Sequence, residues 1–405
     1  MKKTVKDVNW AGKTAVMRCD FNVPQDKETG AIKDDTRIVA ALPTIKYLLE
    51  NGAKVVLMSH LGRPKGEANP TYTLAPVAKR LGEYLNQEVK FVASDVVVDD
   101  NVKAAAKALN AGEAMLIENV RYRAEEEKND PDFSKALSEL GDIFVQDAFG
   151  TAHRAHASTT GIADYLPAVS GFLIEKELKF LGEAVENPQR PFAAIMGGAK
   201  VKDKIPVITN LLDKVDILVI GGGMLFTFLK AHGGEIGNSI VELDKLDVAR
   251  GVEELAKKNG VELVLGCDSV CCTDYDFATA SVKPGAKVEV FNSNEIPAEF
   301  EGLDAGPKSR EKFAEAIKGA KTILWNGPAG CFECEDFTPG SRAVGEAVAA
   351  ATAEGAFSLI GGGDSVACVN KFGLADKVSY ISTGGGALLE AIEGKVLPGV
   401  AAIQG

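Results

Sequence analysis

Four short polar segments in the first half of the sequence each follow an apolar run, and each carries arginine. Three of the four histidines of the chain also fall in them. Guanidinium groups grip small, highly charged anions in a bidentate manner. The segments therefore predict a site for a small acid. They are RCDFN (18–22), SHLGRP (59–64), ENVRYR (118–123) and DAFGTAHRAHAS (147–158).

The second half places glycine, not arginine, after its apolar runs. Glycine turns before helix N-termini suit a nucleotide, whose phosphates meet backbone N–H groups and the helix dipole. Two anion sites of different chemistry in one chain indicate phosphoryl transfer between their ligands. The glycines are Gly197–Gly198, Gly221–Gly223, Gly327, Gly361–Gly363 and Gly384–Gly386.

Each observation has a simpler interpretation. An arginine in an acidic chain can pair with a surface carboxylate, and a glycine after one strand is a common turn. Four cationic clusters at predicted strand ends, with glycines after five of six runs in the second half, favour ligand sites. His232, in LKAHGGEIGN, is expected to be a surface or cap residue.

The segment MGGAKVKDK (196–204) combines paired glycines with three lysines. It does not fit the Walker A pattern, and the AGKT at 11–14 lacks that pattern's first glycine and precedes a strand. If the segment opens a helix, Lys200 and Lys204 share one face. We assign Lys200 to the transferring phosphoryl group and Lys204 to the nucleotide phosphates, and expect Lys202 to be a solvated surface charge.

Short apolar runs alternate with amphipathic helical patterns along the whole chain. Five such runs in the first half and six in the second read as parallel strands buried on both faces. Repeated strand–helix units predict an α/β fold with two doubly wound parallel-sheet, Rossmann-like domains. In such sheets ligands bind at the carboxyl ends of the strands.

The helical patterns give boundaries. DDTRIVAALPTIKYLLENG (34–52) should begin at a cap on Asp35 or Thr36 and stop at Gly52, with a kink or restart at Pro43. Arg37 then lies in its first turn. A long helical pattern near 170 predicts a hinge helix over 171–190, between an N-terminal domain (1–170) and a C-terminal domain (191–390).

Composition restricts the partners. The 405-residue chain carries a formal charge of −12, which disfavours general nucleic-acid binding. No apolar run approaches the roughly 20 residues that span a bilayer, and the N-terminus has no apolar signal region. We expect a cytoplasmic protein without a membrane partner. The cysteines, among them Cys267, Cys271, Cys272, Cys331 and Cys334, should be mostly small, half-buried thiols; a zinc or redox site is the alternative.

Nine segments, taken in order, resemble the signatures of the phosphoglycerate kinase family, and they cover essentially the whole chain. They are RCDFNVP, SHLGRPKG, ENVRY, DAFGTAHRAHAS, GGAKVKDKI, GGGMLFTFLK, WNGPAGCFE, GGGDS and STGGGALLE. The resemblance implies a hinge-bending, usually monomeric enzyme of glycolysis. It would move a phosphoryl group between 1,3-bisphosphoglycerate and ADP, giving 3-phosphoglycerate and ATP, with Mg²⁺. The C-terminal tail (about 391–405) would pack on the first domain.

The resemblance also implies site residues. The acid-substrate site would use Asp20, Asn22, Arg37, His60, Leu61, Gly62, Arg63, Arg121 and Arg154. The nucleotide site would use Gly198, Ala199, Lys200, Lys204, Gly222, Gly302, Glu333, Gly362, Gly363, Asp364 and Ser365. Glu333 would reach the ribose hydroxyls and Asp364 the metal.

The chemistry needs no general base, because the carboxylate of 3-phosphoglycerate is already ionised at neutral pH. Charge on the oxygens of the transferring group is then the main barrier besides positioning. We expect Arg37, Lys200 and the amides of Gly362 and Gly363 to stabilise that charge. Water would compete as acceptor, so closure of the two halves should precede transfer.

Two other functions fit parts of the pattern. A nucleotide-dependent oxidoreductase would share the sheet architecture, but the sequence has no GxGxxG. A non-catalytic, two-lobed binding protein would explain a hinge and an anion cluster. It would not need lysines on the nucleotide side, and such proteins usually carry a secretion signal.

Overall fold

A computed structural model describes residues 2–26 and 28–404 of the chain. The chain divides into two compact units. The first runs up to Lys179 and includes the C-terminal stretch from Val396, and the second covers residues 180–395. The division falls within a single helix, and the described residues from Val396 onward belong to the first unit.

The first unit contains a parallel sheet of six strands: β1 (Thr14–Arg18), β2 (Lys54–Met58), β3 (Val89–Val92), β4 (Ala114–Ile117), β5 (Ile143–Gln146) and β6 (Ala168–Ser170). Their order across the sheet is β3-β4-β2-β1-β5-β6, and Arg18, the last residue of β1, aligns with Met58 and Gln146. The five predicted strands are confirmed. The short β6 was not predicted, because AVS carries too few apolar residues to stand out.

Helices cover both faces of this sheet. They are α1 (Thr36–Glu50), α2 (Ala75–Leu85), α3 (Asp100–Ala108), α4 (Ala124–Glu127), α5 (Pro131–Ser138) and α6 (Phe172–Leu181). Alternate strand residues supply two cores: Ala15 packs into the cluster that holds α1 and α2, and Val16 into the cluster that holds α3 and α5. The alternation follows from the period of two along a strand.

Helix α1 differs from its prediction in two details. It runs without a restart through Pro43, and Asp35 stands at the N-cap position without capping it. The Asp35 carboxylate instead accepts hydrogen bonds from Arg80 and Tyr84. Helix α6 continues as a π-helix, Gly182–Glu186. Short 3₁₀ turns lie at Val5–Asp7, Pro70–Tyr72, Val120–Tyr122, Phe149–Thr151 and Gly161–Asp164.

The second unit contains thirteen strands: β7 (Phe192–Met196), β8 (Ile217–Ile220), β9 (Glu235–Ile236), β10 (Glu262–Leu265), β11 (Asp268–Cys272), β12 (Tyr275–Asp276), β13 (Ser281–Val282), β14 (Val288–Asn292), β15 (Glu295–Ile296), β16 (Glu301–Ala305), β17 (Thr322–Asn326), β18 (Phe357–Ile360) and β19 (Tyr380–Ile381). Six of them form the predicted parallel sheet, in the order β10-β8-β7-β17-β18-β19. An antiparallel sheet β14-β11-β16 and two smaller pairs were not predicted.

The remaining helices are α7 (Ile205–Leu211), α8 (Leu225–Ala231), α9 (Leu246–Asn259), α10 (Pro307–Ile317), α11 (Pro339–Ala353), α12 (Gly363–Lys371), α13 (Gly386–Ile392) and, in the first unit, α14 (Pro398–Ala401). Short 3₁₀ turns lie at Leu243–Lys245, Glu335–Phe337 and Ala375–Lys377. The core around Trp325 includes residues of α10, α11 and α12. The prediction of an α/β protein with two parallel, helix-covered sheets is therefore confirmed.

Candidate anion and nucleotide sites

Four loops of the first unit meet at one edge of its sheet. The segments 19–22, 59–63, 118–123 and 147–156 follow β1, β2, β4 and β5, whose strands pair in parallel. Because parallel strands end at the same edge, the four cationic segments predicted from the sequence lie together. Arg18, Arg121, Arg37 and Arg154 all act electrostatically on His60.

Arg37 reaches this edge from the first turn of α1. Its Nη1 donates to both carboxylate oxygens of Asp20, at 3.0 and 3.1 Å, and to the carbonyl oxygen of Asn22 at 3.2 Å. The Asn22 side chain accepts the N–H of Gly62 at 2.8 Å. Asp20 and Asn22 thereby fix Arg37 and connect the loop after β1 to the loop after β2.

Gly62 is required where it stands. Its φ is +60°, and a Cβ there would lie 2.4 Å from the ring of Tyr72. Its carbonyl oxygen accepts a hydrogen bond from Nη1 of Arg121 at 3.0 Å. Leu61 beside it is buried, and its carbonyl accepts Nδ2 of Asn119 at 2.7 Å. These two residues shape the loop that presents the neighbouring His60 and Arg63.

Several cationic groups here have donors without protein partners. Nη2 of the buried Arg121 has no hydrogen-bond partner in the structure, and Arg121 pairs with Glu127 only through Nε, at 3.4 Å. Within residues 2–26 and 28–404, the guanidinium groups of Arg63 and Arg154 make no hydrogen bond or ion pair. A cluster of unpaired donors of this kind is suited to an added anion. Arg123, by contrast, pairs with Glu125 and lies over the ring of Phe133.

The second unit holds a cavity of about 320 Å³. Its lining includes six of the residues predicted for a nucleotide: Gly198, Ala199, Gly222, Gly302, Glu333 and Asp364. Its apolar side chains include Phe226, Ile240, Tyr275, Phe277 and Leu303. These apolar residues were not predicted: Tyr275 and Leu303 lie in the short strands β12 and β16, and Phe226 lies inside helix α8. The size falls in the range of small-molecule sites.

Close contacts explain why glycine lines this cavity. A Cβ on Gly222, whose φ is +66°, would lie 2.7 Å from the amide nitrogen of Gly198. A Cβ on Gly302 would lie 2.2 Å from the ring of Phe226. Glycine therefore lets neighbouring segments of the wall pack at a distance that no side chain permits.

The lysine segment after β7 is a turn, and helix α7 begins only at Ile205. The helical face expected for Lys200 and Lys204 is therefore not formed. Lys200 and Lys202 are exposed. Lys204 is half-buried, its ammonium contacts Oδ1 of Asn326, and burial lowers its pKa although Asp364 opposes that shift.

Asn326 connects Lys204 to the start of helix α12. Its Nδ2 donates to the carbonyl oxygen of Gly361 at 2.7 Å. Ser365, in the first turn of α12, accepts the N–H of Gly327 at 2.6 Å. Gly362 and Gly363 open this helix, and the exposed Asp364 follows them. Asn326 lies in the WNGPAGCFE segment noted in the sequence, but no role was predicted for its side chain.

The cysteines only partly match expectation. Cys271, Cys272 and Cys334 are buried, Cys331 is half-buried at the cavity, and Cys267 is exposed. Burial raises the pKa of Cys331 to about 12. Cys267 contradicts the prediction of a buried or half-buried thiol because it follows the end of β10 at the surface. His232 is exposed, stands at the C-cap of α8 and pairs with Glu253, as predicted.

The described residues contain no helix long and apolar enough to cross a bilayer. They also contain no group of three or more His, Cys, Asp or Glu side chains that could hold a metal ion.

Fold and sites together define a class: α/β proteins that place a small-anion cluster on one parallel sheet and a nucleotide-type cavity on another. The sequence model of the phosphoglycerate kinase family matches residues 5–395. A phosphoglycerate kinase of Clostridium botulinum (strain Alaska E43 / Type E3) is 54% identical over 404 residues, which are 100% of this chain and 99% of that protein. One of Thermosipho africanus (strain TCF52B) is 53% identical over 405 residues, with 99% and 98% covered.

Solved structures agree. Phosphoglycerate kinase from Coxiella burnetii is similar with a TM-score of 0.88 and 42% identity, covering 99% of this chain and 98% of that chain. The enzyme from Pyrococcus horikoshii OT3 is similar with a TM-score of 0.82 and 33% identity, with 99% and 98% covered. The chain belongs to the phosphoglycerate kinase family.

Proposed function

We propose that this chain reversibly transfers a phosphoryl group between 1,3-bisphosphoglycerate and ADP, giving 3-phosphoglycerate and ATP. One observation carries the proposal. A chain of this family holds an arginine cluster with unpaired donors in one unit and, in the other, a glycine-lined cavity beside the N-terminus of α12. The first suits a small phosphorylated acid, and the second suits a nucleotide.

The acid substrate would bind in the first unit. Arg63, Arg121 and Arg154 offer donors that no described residue uses. Arg37 would contact the transferring group, held by Asp20 and Asn22. His60, Leu61 and Gly62 would complete the site.

The nucleotide would bind in the second unit, with its base against the apolar lining. Glu333 would accept hydrogen bonds from the ribose hydroxyls. The phosphates would meet Lys204 and the helix start at Gly362, Gly363 and Ser365, while Lys200 would reach the transferring group. Gly198, Ala199, Gly222 and Gly302 would form the close backbone wall.

Mg²⁺ fits this arrangement through Asp364. Magnesium is usually bound by one or two carboxylates together with substrate phosphates, and Asp364 is exposed in the first turn of α12 at the cavity. The cation would neutralise charge on the phosphates. Replacing Asp364 with Ala should weaken binding of Mg-nucleotide in calorimetry while binding of 3-phosphoglycerate survives; unchanged Mg-nucleotide affinity would remove Asp364 from this role.

No general base is needed, since the attacking carboxylate is ionised at neutral pH. Arg37, Lys200 and the amides of Gly362 and Gly363 would act by stabilising charge that develops on the transferring group. We further propose that residues 171–190 act as a hinge that lets the two substrates meet, between domains 1–170 and 191–390. We propose a monomeric, cytoplasmic enzyme with no nucleic-acid partner.

A coupled assay tests the function: ADP formation from Mg-ATP that depends on 3-phosphoglycerate. Turnover in the ordinary enzymatic range of about 1–10³ per second is expected. ADP formation at the same rate without the acid, or none with it, would contradict the proposal. The second outcome, together with tight binding of both ligands, would favour a non-catalytic binding protein.

A further inference from the structure

Beneath the candidate acid site, the first unit buries a charge that the proposed reaction does not use. Glu126, in the short helix α4, is completely buried. Its Oε1 accepts the hydroxyl of Ser158 at 2.6 Å, and its Oε2 accepts the N–H of Ser158 at 2.9 Å. Burial raises the pKa of this carboxyl group, whereas Arg18 and the two hydrogen bonds from Ser158 oppose that shift. Acceptance at both oxygens suits the ionised form, which is an acceptor only, and we assign Glu126 as a carboxylate.

Ser158 connects this carboxylate to a second buried charge. Nε of Arg18 donates to Oγ of Ser158 at 2.8 Å, and Arg18 itself is completely buried at the end of β1. Because the single proton of the hydroxyl goes to Glu126, its oxygen accepts from Arg18. The result is a directional chain in which a cation, a hydroxyl and an anion share two hydrogen bonds.

Arg18 then reaches His60. Its Nη2 lies 3.2 Å from Nδ1 of the imidazole. A guanidinium group only donates and stays charged in proteins, so Nδ1 must accept and carries no proton. Neutral histidine has one N–H, which is therefore placed on Nε2. Among the described residues no group hydrogen-bonds Nε2.

The surroundings of His60 oppose a second proton. The ring is buried, and burial is the main cause that holds its pKa well below the ordinary value. The charged groups around it are guanidiniums, which act in the same direction: Arg18, Arg121, Arg37 and Arg154. No carboxylate of the described part of the chain hydrogen-bonds the ring. His60 thus remains a neutral donor at physiological pH.

We propose that Glu126, through Ser158 and Arg18, is a positioning residue that fixes His60 as a neutral Nε2–H donor toward the acid substrate. The substrate contact of His60 rests on the function proposed above, whereas the tautomer does not. His60 would then give the substrate a neutral hydrogen bond that orients it, while the neighbouring arginines supply the positive charge.

The direct test is ¹⁵N NMR of histidine-labelled protein, which is practical because the chain has four histidines. His60→Gln assigns the His60 signals. In the wild type we expect Nε2 to be protonated and Nδ1 bare from pH 5.5 to 8. In Arg18→Met/Glu126→Gln, which removes both buried charges together, the His60 pKa should rise toward its ordinary value of about 6.5. A wild-type proton on Nδ1, or the same titration in both proteins, overturns the proposal.

Replacing both charges avoids the large cost of leaving one of them buried alone. If the double variant does not fold, Ser158→Ala breaks the chain without removing either charge. Because the hydroxyl no longer joins Arg18 to Glu126, we expect the pKa of His60 to be higher than in the wild type. An unchanged His60 in that variant would also overturn the proposal.

Activity gives a second readout. Arg18→Met/Glu126→Gln should raise KM for 3-phosphoglycerate about tenfold, the effect of roughly one hydrogen bond to a charged group, and leave KM for nucleotide unchanged. Glu125→Gln is the matched control, since Glu125 lies in the same helix and pairs with Arg123 at the surface. Equal effects of the two variants, or a rise in both KM values, contradict the proposal. Lack of wild-type phosphotransfer would refute the proposed function and leave the tautomer test intact.

Discussion

The candidate anion sites of the two units differ in what lines them. The first has side chains: guanidinium groups at strand ends, held by Asp20, by backbone carbonyls and, through Ser158, by the buried Glu126. The second has backbone: glycines whose closeness excludes a Cβ, and the helix start at Gly363. Sites of the first kind are damaged by removing atoms, and sites of the second kind by adding them.

The largest effect is expected from removing atoms in the first unit. Arg37→Ala should lower turnover about 10²-fold or more, as loss of one transition-state charge contact does. Nucleotide affinity should remain nearly unchanged. Steady-state kinetics with calorimetry checks both. Turnover within threefold of wild type would remove Arg37 from the proposed catalytic role.

The next effect comes from adding atoms in the second unit. Gly222→Ala should raise KM for the nucleotide about tenfold to a hundredfold, because overpacking at this scale costs about 1–3 kcal/mol. The new Cβ would meet the amide nitrogen of Gly198 at 2.7 Å. Gly251→Ala is the control, since a Cβ there meets nothing within 4 Å. Equal KM values for the two variants would show that the wall tolerates a side chain.

A buried carboxyl group of the second unit should make the free energy of unfolding depend on pH. Burial raises the pKa of Asp304, at the cavity, from 3.8 to about 8, and Oδ1 accepts no hydrogen bond from the part of the chain that the structure describes. Below pH 3.8 both folded and unfolded forms are protonated. Between about 4 and 8 only the unfolded form is ionised, so the free energy of unfolding should fall as pH rises, by up to about 1.4 kcal/mol per pH unit.

Asp304→Asn should reduce this slope in the second unit, and Glu301, whose pKa burial also raises, would supply any remainder. The two tryptophans of the chain make the measurement selective: Trp10 lies in the first unit and Trp325 in the second. In a Trp10→Phe background, Trp325 fluorescence followed in denaturant at pH 5 and pH 8 reports the second unit. The same pH dependence with and without the Asp304 carboxyl would contradict the assignment.

The smallest effect is expected at Lys202. The three lysines after β7 are close in sequence, but Lys202 is exposed, and among the described residues its ammonium has no partner; its backbone N–H donates to Glu242. Lys202→Ala should change kcat and both KM values by less than about twofold, as for most isolated surface charges. Lys204→Ala, whose ammonium contacts Asn326, should raise KM for the nucleotide. Equal effects would mean that the lysines act only through net charge.

Much of the fold could be predicted because buried parallel strands are short apolar runs. All eleven predicted runs are strands of the two parallel sheets, and only β6 was added by the structure. The strand-end rule then placed the arginines together in the first unit and the glycines together in the second, since the strands of one parallel sheet end at the same edge. The antiparallel elements β11, β14 and β16 escaped prediction, because β14 is largely exposed and β16 carries EGLDA, with little apolar pattern.

The sequence by itself determined the two sheets, the four cationic loops and the glycine turns, because these depend on local residue type and spacing. Only the tertiary structure decided which charges are buried and what each of them contacts. Asp35 binds Arg80 instead of capping α1, and Lys204 turns to Asn326 without a helix. The chain from Glu126 to Arg18 joins residues far apart in sequence. Such contacts depend on where the folded chain brings side chains together, and spacing along the sequence does not encode that directly.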